Sequence, residues 1–345
     1  MDSEKSDNKY ILGIEALCKE KYAEAEEFFT AAIELDETNA LAYNGRSVIY
    51  TRHGKYEQAL ADLNKFIALK PKVWDGYFER GMIYGKLKQY ALAISDFTKV
   101  LELKPRDADT YYNRGITYSE LQRYAQAQAD LERAVELNPN HARARLHLGR
   151  EYCAHGKYVL ALTEFDAFVR LVPYVPDGYF GRGRCYCELK NYRAAIDDLT
   201  QTIAMDKNSA EAYYYRALAY SRQRKVARAI LDLNKVVSLN PNHLKAHFQL
   251  GLEYYNLRKF GPALVYFNAV IKINPLTYAA YYNRGNVFMR LEKYAEAVVD
   301  YTRAIILNPR DADSHYNRAL CYQELGENDK SQKDFAKARE LSGKK

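Results

Sequence analysis

The amino-acid sequence predicts an all-α solenoid of ten helical hairpins, and three observations carry that prediction. The word YYNRG at 111–115 returns at 281–285, and rows of 34 residues starting at Ser6 align the chain to Lys345 without an insertion, leaving residues 1–5 as a leader. Within each row apolar residues recur at columns 4, 8 and 11 and again at 17, 20, 24 and 27, the spacing of two amphipathic helices. Polar or Gly residues near columns 14–16 part the two, as in RHGK at 52–55 and AHGK at 154–157, and Pro fills column 32 in seven rows.

The rows are 6–39, 40–73, 74–107, 108–141, 142–175, 176–209, 210–243, 244–277, 278–311 and 312–345, read as one continuous solenoid. In the first helix of each row, column 8 is small: Gly13, Ser47, Gly81, Gly115, Gly149, Gly183, Ala217, Gly251, Gly285 and Ala319. In the second, column 20 is Ala from Ala25 to Ala297 and then Ser331, so the two backbones can approach to about 8–10 Å. Column 24 is always Phe, Leu or Tyr and fills the space between them. The column 32 Pro removes an amide donor and ends the second helix.

Column 7 is Arg in seven rows (Arg46, Arg80, Arg114, Arg182, Arg216, Arg284, Arg318), and the same seven rows carry Asp at column 23 (Asp62, Asp96, Asp130, Asp198, Asp232, Asp300, Asp334). The other three rows have Leu12, Leu148 and Leu250 with Phe28, Glu164 and Tyr266. In a hairpin turning near column 15 these two columns lie level, so an ion pair within each of the seven hairpins is expected.

Composition removes several function classes. Of 32 tyrosines, 21 occupy columns 4, 11 and 17, which makes the excess a packing feature. The five cysteines are scattered over different rows with no disulfide framework, and Cys185 and Cys187, two apart on a helix, point to nearly opposite sides without a His to complete a zinc site. Reduced thiols and no metal or other cofactor are expected. The net charge of +7 is spread among interspersed acids, so nucleic acid is disfavoured, and an RNA-binding helical repeat is kept as the alternative function. No apolar stretch approaches the ~20 residues that span a bilayer, no signal peptide opens the chain, and a cytoplasmic location is expected. Neither a phosphate loop, a nucleophile elbow nor a metalloprotease motif is present, so no enzyme activity is expected.

With these columns in place, YYNRGITYSELQRYAQAQADLERAVELNP at 111–139 resembles the tetratricopeptide repeat, and the resemblance extends over all ten rows. It implies a right-handed superhelix with first helices on the concave face, and a protein-interaction scaffold or adaptor that binds a protein or peptide along that groove. The carboxylate clamp by which co-chaperones of this family hold heat-shock chaperone C-termini needs Lys at column 5, Asn at column 9 and Arg at column 6. Here no column 5 residue is Lys, no column 6 residue is Arg, and Asn286 is the one Asn at column 9, so that partner is disfavoured. Long members of the family grip peptide backbones with Asn at column 6, matched by Asn113, Asn283 and Asn317.

Columns 2, 5, 6, 9, 12 and 13 should line the groove. Column 5 places Tyr112, Phe180, Tyr214, Phe248, Tyr282 and Tyr316 there, and rows five to eight add Arg143, His147, Arg150, Arg184, Arg222 and Lys245. Rows three and four offer Asp75, Glu79, Asp109 and Glu120 instead, which makes the groove two-toned and suits its basic middle to an acidic segment with aromatic or aliphatic anchors. Row ten turns polar at columns 21, 22 and 28 (Gln332, Lys333 and Arg339 against Val298, Val299 and Ile305), as expected of a capping repeat with Lys345 near the natural end.

Overall fold

The computed structural model describes residues 2–343, and among them every regular element is an α-helix. The chain divides into two compact units, Met1–Pro173 and Tyr174–Lys345. The first contains α1 (Asp2–Cys18), α2 (Tyr22–Leu35), α3 (Ala40–Arg52), α4 (Tyr56–Leu69), α5 (Trp74–Lys86), α6 (Tyr90–Leu103), α7 (Ala108–Glu120), α8 (Tyr124–Leu137), α9 (Ala142–Ala154) and α10 (Tyr158–Leu171). The second contains α11 (Pro176–Glu188), α12 (Tyr192–Met205), α13 (Ala210–Arg222), α14 (Val226–Leu239), α15 (Leu244–Asn256), α16 (Phe260–Ile273), α17 (Tyr278–Arg290), α18 (Tyr294–Leu307), α19 (Ala312–Glu324) and α20 (Asn328–Ser342). In rows two to nine the helices occupy columns 1–13 and 17–30, as the periodicity requires. Residues 2–5, expected as a leader, instead extend α1 by a turn whose Asp2 and Glu4 suit the positive end of the helix dipole. Lys345 lies outside the described residues.

The turn inside each hairpin has one geometry. Column 15 is left-handed in all ten rows, with Gly54, Gly156 and Gly326 in three of them and Glu20, Lys88, Gln122, Lys190, Arg224, Arg258 and Glu292 at φ of 57–61° in the rest. The N–H of column 16 then donates to the carbonyl of column 11, as from Lys55 to Tyr50 and from Gln89 to Tyr84, both at 2.8 Å, which closes a Schellman turn. An L side chain in that region costs about 1–2 kcal/mol. Lys88→Gly should therefore raise stability by about 1 kcal/mol, seen as a higher denaturant midpoint, whereas an unchanged midpoint would refute strain at this turn. Between hairpins, Asp36, Asn138, Asp206, Asn240 and Asn274 each accept through Oδ1 from the N–H two residues on at 2.9–3.1 Å, so the chain reverses on its own side chains.

The Arg and Asp columns meet in all seven rows. Each Asp takes two charge-assisted hydrogen bonds from its Arg, through Nε and Nη2, at 2.7–2.9 Å. Nη1 has a further use that the column comparison missed. Arg46, Arg80, Arg114, Arg216, Arg284 and Arg318 donate it to Thr30, Asn64, Thr98, Thr200, Asn268 and Thr302 of the preceding hairpin at 2.5–3.2 Å. Each guanidinium thus joins two second helices. Aromatic rings at columns 4 and 11 stand over several of them, as Tyr213 and Tyr220 do over Arg216 at 5.5 and 5.9 Å.

The Leu rows solve the same junction differently. In row five the charge pair moves one helical turn, to Arg145 and Glu164 at 2.7 Å, and in row eight Tyr254 stacks on Tyr266 with ring centroids 5.5 Å apart. Both rows carry Glu at column 10, where Glu151 and Glu253 accept from Ser119 and Ser221 of the preceding hairpin. In row nine, Val298 packs on the cluster holding buried Cys321, so column 21 does face the next hairpin. Column 22 does not. Val299 is 68% exposed, because it lies two residues from both buried Ala297 and buried Tyr301 and points away from them.

Candidate functional site

Each unit carries its own share of the expected groove residues. In the first unit they gather around Tyr112 on α7. Its ring is 4.9 Å from the His141 ring and 5.7 Å from that of His147 on α9, centroid to centroid. Burial pushes the Tyr112 phenol above its ordinary value, and the charges of Arg143 and Arg150 pull against that rise, which places both guanidiniums within its field. Asn113 bends back on its own helix, donating Nδ2 to the Asp109 carbonyl at 2.8 Å.

In the second unit, Phe180 and Arg184 on α11 face Tyr215 on α13. The Phe180 and Tyr215 rings meet edge to face at 6.0 Å, and the Arg184 guanidinium lies 5.9 Å from the first and 5.2 Å from the second. Arg184 is therefore an exposed cation on a fixed aromatic seat. Beside it opens a cleft of about 480 Å³ lined by Cys187, Glu188, Lys190, Tyr192, Tyr215, Leu218, Ala219 and Arg222. Burial, with the Glu188 charge adding to it, pushes the Cys187 thiol up to about 12, so it is no nucleophile at neutral pH. Glu211 on α13 is turned to His243 at 3.3 Å. His243 in turn accepts the Ala246 N–H at the start of α15 and packs on Tyr214 at 5.1 Å.

The aromatic column is shared between groove and core. Phe248 and Tyr282 are half-buried and lean on Phe267 and Tyr301 at 5.9 and 6.0 Å. Tyr316, with no further hairpin described beyond it, is 50% exposed and lines a cleft of about 390 Å³ with Asp313, Phe335 and Arg339. Lys245 is exposed on the first turn of α15. Asn283 spends Nδ2 on the Ala279 carbonyl at 2.7 Å, while Asn317 donates to Asn286 at 3.1 Å, so the two do not present matching free amides. Tyr215 is the residue that sequence reasoning missed. Its signal was the triple Tyr213, Tyr214 and Tyr215, which puts an aromatic ring at column 6, the column otherwise read for Asn.

Comparison with known proteins agrees with this geometry. Models of the tetratricopeptide repeat match residues 28–61, 47–111, 108–141, 210–243, 244–275, 278–311 and 300–333. The chain belongs to the tetratricopeptide repeat family. A stretch of 59 residues is 42% identical to the heat shock protein sti1 homolog of Schizosaccharomyces pombe, covering 17% of this chain and 10% of that protein. Among solved structures, the APC/C hetero-tetramer Cut9-Hcn1 aligns over 99% of this chain and 94% of its own at 13% identity and a TM-score of 0.50. A tetratricopeptide repeat protein from Parabacteroides merdae aligns over 72% and 99% at 23% identity and a TM-score of 0.52. These two likenesses concern the fold. Tetratricopeptide repeats serve as protein-interaction scaffolds, and that is the function class of this chain. Among the described residues no helix is long and apolar enough to cross a membrane.

Proposed function

We propose that this repeat protein is a non-catalytic adaptor whose first-helix surfaces bind peptide segments of a partner protein, and that the second unit takes an acidic segment. The observation that supports this most is Arg184 on Phe180 and Tyr215, beside the cleft that Arg222 enters. A cation already ordered by ring contacts loses little freedom when a carboxylate arrives, and the adjoining aromatic surface offers an apolar anchor point to the same ligand. Lys245, Tyr214 and Phe248 extend that chemistry along the unit. In the first unit Arg143, His147 and Arg150 around Tyr112 supply a second basic and aromatic seat, with Asn113 as a flanking contact, and within the second unit Tyr282, Asn283, Tyr316 and Asn317 serve as further groove contacts.

The test uses a fluorescein-labelled peptide of alternating Glu and Leu with one Phe, followed by anisotropy on the full chain. Arg184→Glu with Arg222→Glu should weaken binding by about tenfold or more with an unchanged circular dichroism spectrum, since charge reversal replaces attraction by repulsion. Unchanged affinity moves the site elsewhere. A single-stranded RNA that binds more tightly than any peptide, with an affinity falling steeply in salt, would replace this reading by the nucleic-acid one.

A further inference from the structure

Gly85, in the last turn of α5, is a glycine that packing does not explain. In the same helix, a Cβ added at Gly76 would come within 2.5 Å of Phe66 and one added at Gly81 within 2.9 Å of Phe97, so both must be glycine for fit. At Gly85 an added Cβ meets nothing within 4 Å. Nor does the turn need it, because the left-handed position after α5 is Lys88, and Gly85 itself has no positive φ. Column 12 is Leu17, Tyr255 or Met289 in three rows and Thr, Ser, Cys or Gln in the other six, so Gly85 lowers helix propensity at a place where every other row has a side chain.

The missing side chain leaves a cleft. Gly85 opens a space of about 360 Å³ between α5 and α7, within the first unit, with Met82, Ile116 and Phe97 among its apolar walls and Lys86, Lys88 and Glu120 at its mouth. One side is closed by the Tyr90 hydroxyl, which donates to Glu120 at 3.3 Å. The charge around it is uneven. Glu79 lies one turn before Met82 on α5, Asp75 one turn before Glu79, and Asp109 holds the corresponding position on α7. Burial and the Asp75 charge push the Glu79 carboxyl above its ordinary value, with Lys86 opposing, so the two acids repel each other across this face.

We infer that this cleft is a second peptide site, distinct from the Arg184 seat, which takes a Leu, Ile or Met side chain over Gly85 from a segment carrying Lys or Arg within about one helical turn of that anchor. The anchor fills the space that a side chain at position 85 would occupy, and the ligand's cation relieves the repulsion between Asp75 and Glu79. Its preference in charge is opposite to that of the second unit, so the adaptor binds two segments of unlike composition.

A phage-displayed library of random 12-residue peptides, selected on the full chain, should enrich an aliphatic residue with a neighbouring Lys or Arg. Synthetic versions of the enriched peptides are then measured by anisotropy. Gly85→Leu should weaken them by about tenfold or more while its melting midpoint stays level or rises, and the smaller Gly85→Ala should weaken them less. Asp75→Asn with Glu79→Gln should weaken them about fivefold and flatten their salt dependence. Arg222→Glu should leave them unchanged, which separates this site from the acidic-peptide reading. Failure to enrich such a motif, or equal binding by wild type and Gly85→Leu, overturns the inference.

Discussion

Asp232→Ala should destabilise the second unit by about 3–5 kcal/mol, because it leaves the Arg216 guanidinium in place with its two strongest acceptors gone. The side chains of Arg216 and Asp232 are only 15% and 9% exposed, so water cannot take over the lost bonds. Thr200 at 3.1 Å and the rings of Tyr213 and Tyr220 remain, but none carries the compensating negative charge. Arg216→Leu combined with Asp232→Phe should lose far less, since rows one and eight fold with Leu at column 7 and an aromatic at column 23. Replacing a buried ion pair by an apolar pair of similar volume is often close to neutral. Denaturant midpoints of the three proteins decide the matter, and equal losses for the single and double variants would refute the account.

The same columns show how much of this molecule could be read in advance. The hairpin boundaries were legible because helix periodicity and the column 32 Pro are local signals repeated ten times, so each row checks the others. The Arg and Asp match was legible because it recurs within a row. What recurs between rows was harder to see. Thr or Asn at column 25 looks like ordinary helix surface until Arg Nη1 is found on it, and the Arg145 to Glu164 pair escapes a search tied to columns 7 and 23 because the charge has moved from column 7 to column 4. The two Ser to Glu bonds, Ser119 to Glu151 and Ser221 to Glu253, join column 12 of one row to column 10 of the next.

The candidate site was legible as a surface and not as a set of contacts. Arg184 and Arg222 were placed on that surface by helical geometry alone, yet the ring that seats Arg184 is Tyr215, one residue from the aromatic column that had been singled out. Likewise the column 5 rings lie half in the core because column 24 is aromatic in several rows, as where Phe248 meets Phe267. Glycine carries no pattern that separates a packing need from an open space. Only the neighbours of a hypothetical Cβ distinguish Gly81 from Gly85.

That distinction yields the second large effect. Gly251→Ala should destabilise the second unit by about 1–2 kcal/mol, although Ala is the better helix former, because its Cβ would sit 2.6 Å from Cε1 and 2.8 Å from Cδ1 of Phe267. Phe267 is fully buried and its ring is held on a second side by Phe248, so it cannot swing clear without opening the core. Ala217 and Ser47 at column 8 stand opposite Leu233 and Leu63 at column 24, smaller partners than Phe267, although row ten sets Ala319 against Phe335 and a Cβ at Gly183 would still come within 2.9 Å of Leu199. Phe267→Leu alone should also destabilise, through the space it leaves, but the two changes together should be more stable than the sum of their separate losses by about 1 kcal/mol or more. Gly85→Ala serves as the control, with nothing within 4 Å of its Cβ and so no loss expected. Additive losses at 251 and 267 in chemical denaturation would show that the glycine at column 8 is not set by the ring at column 24.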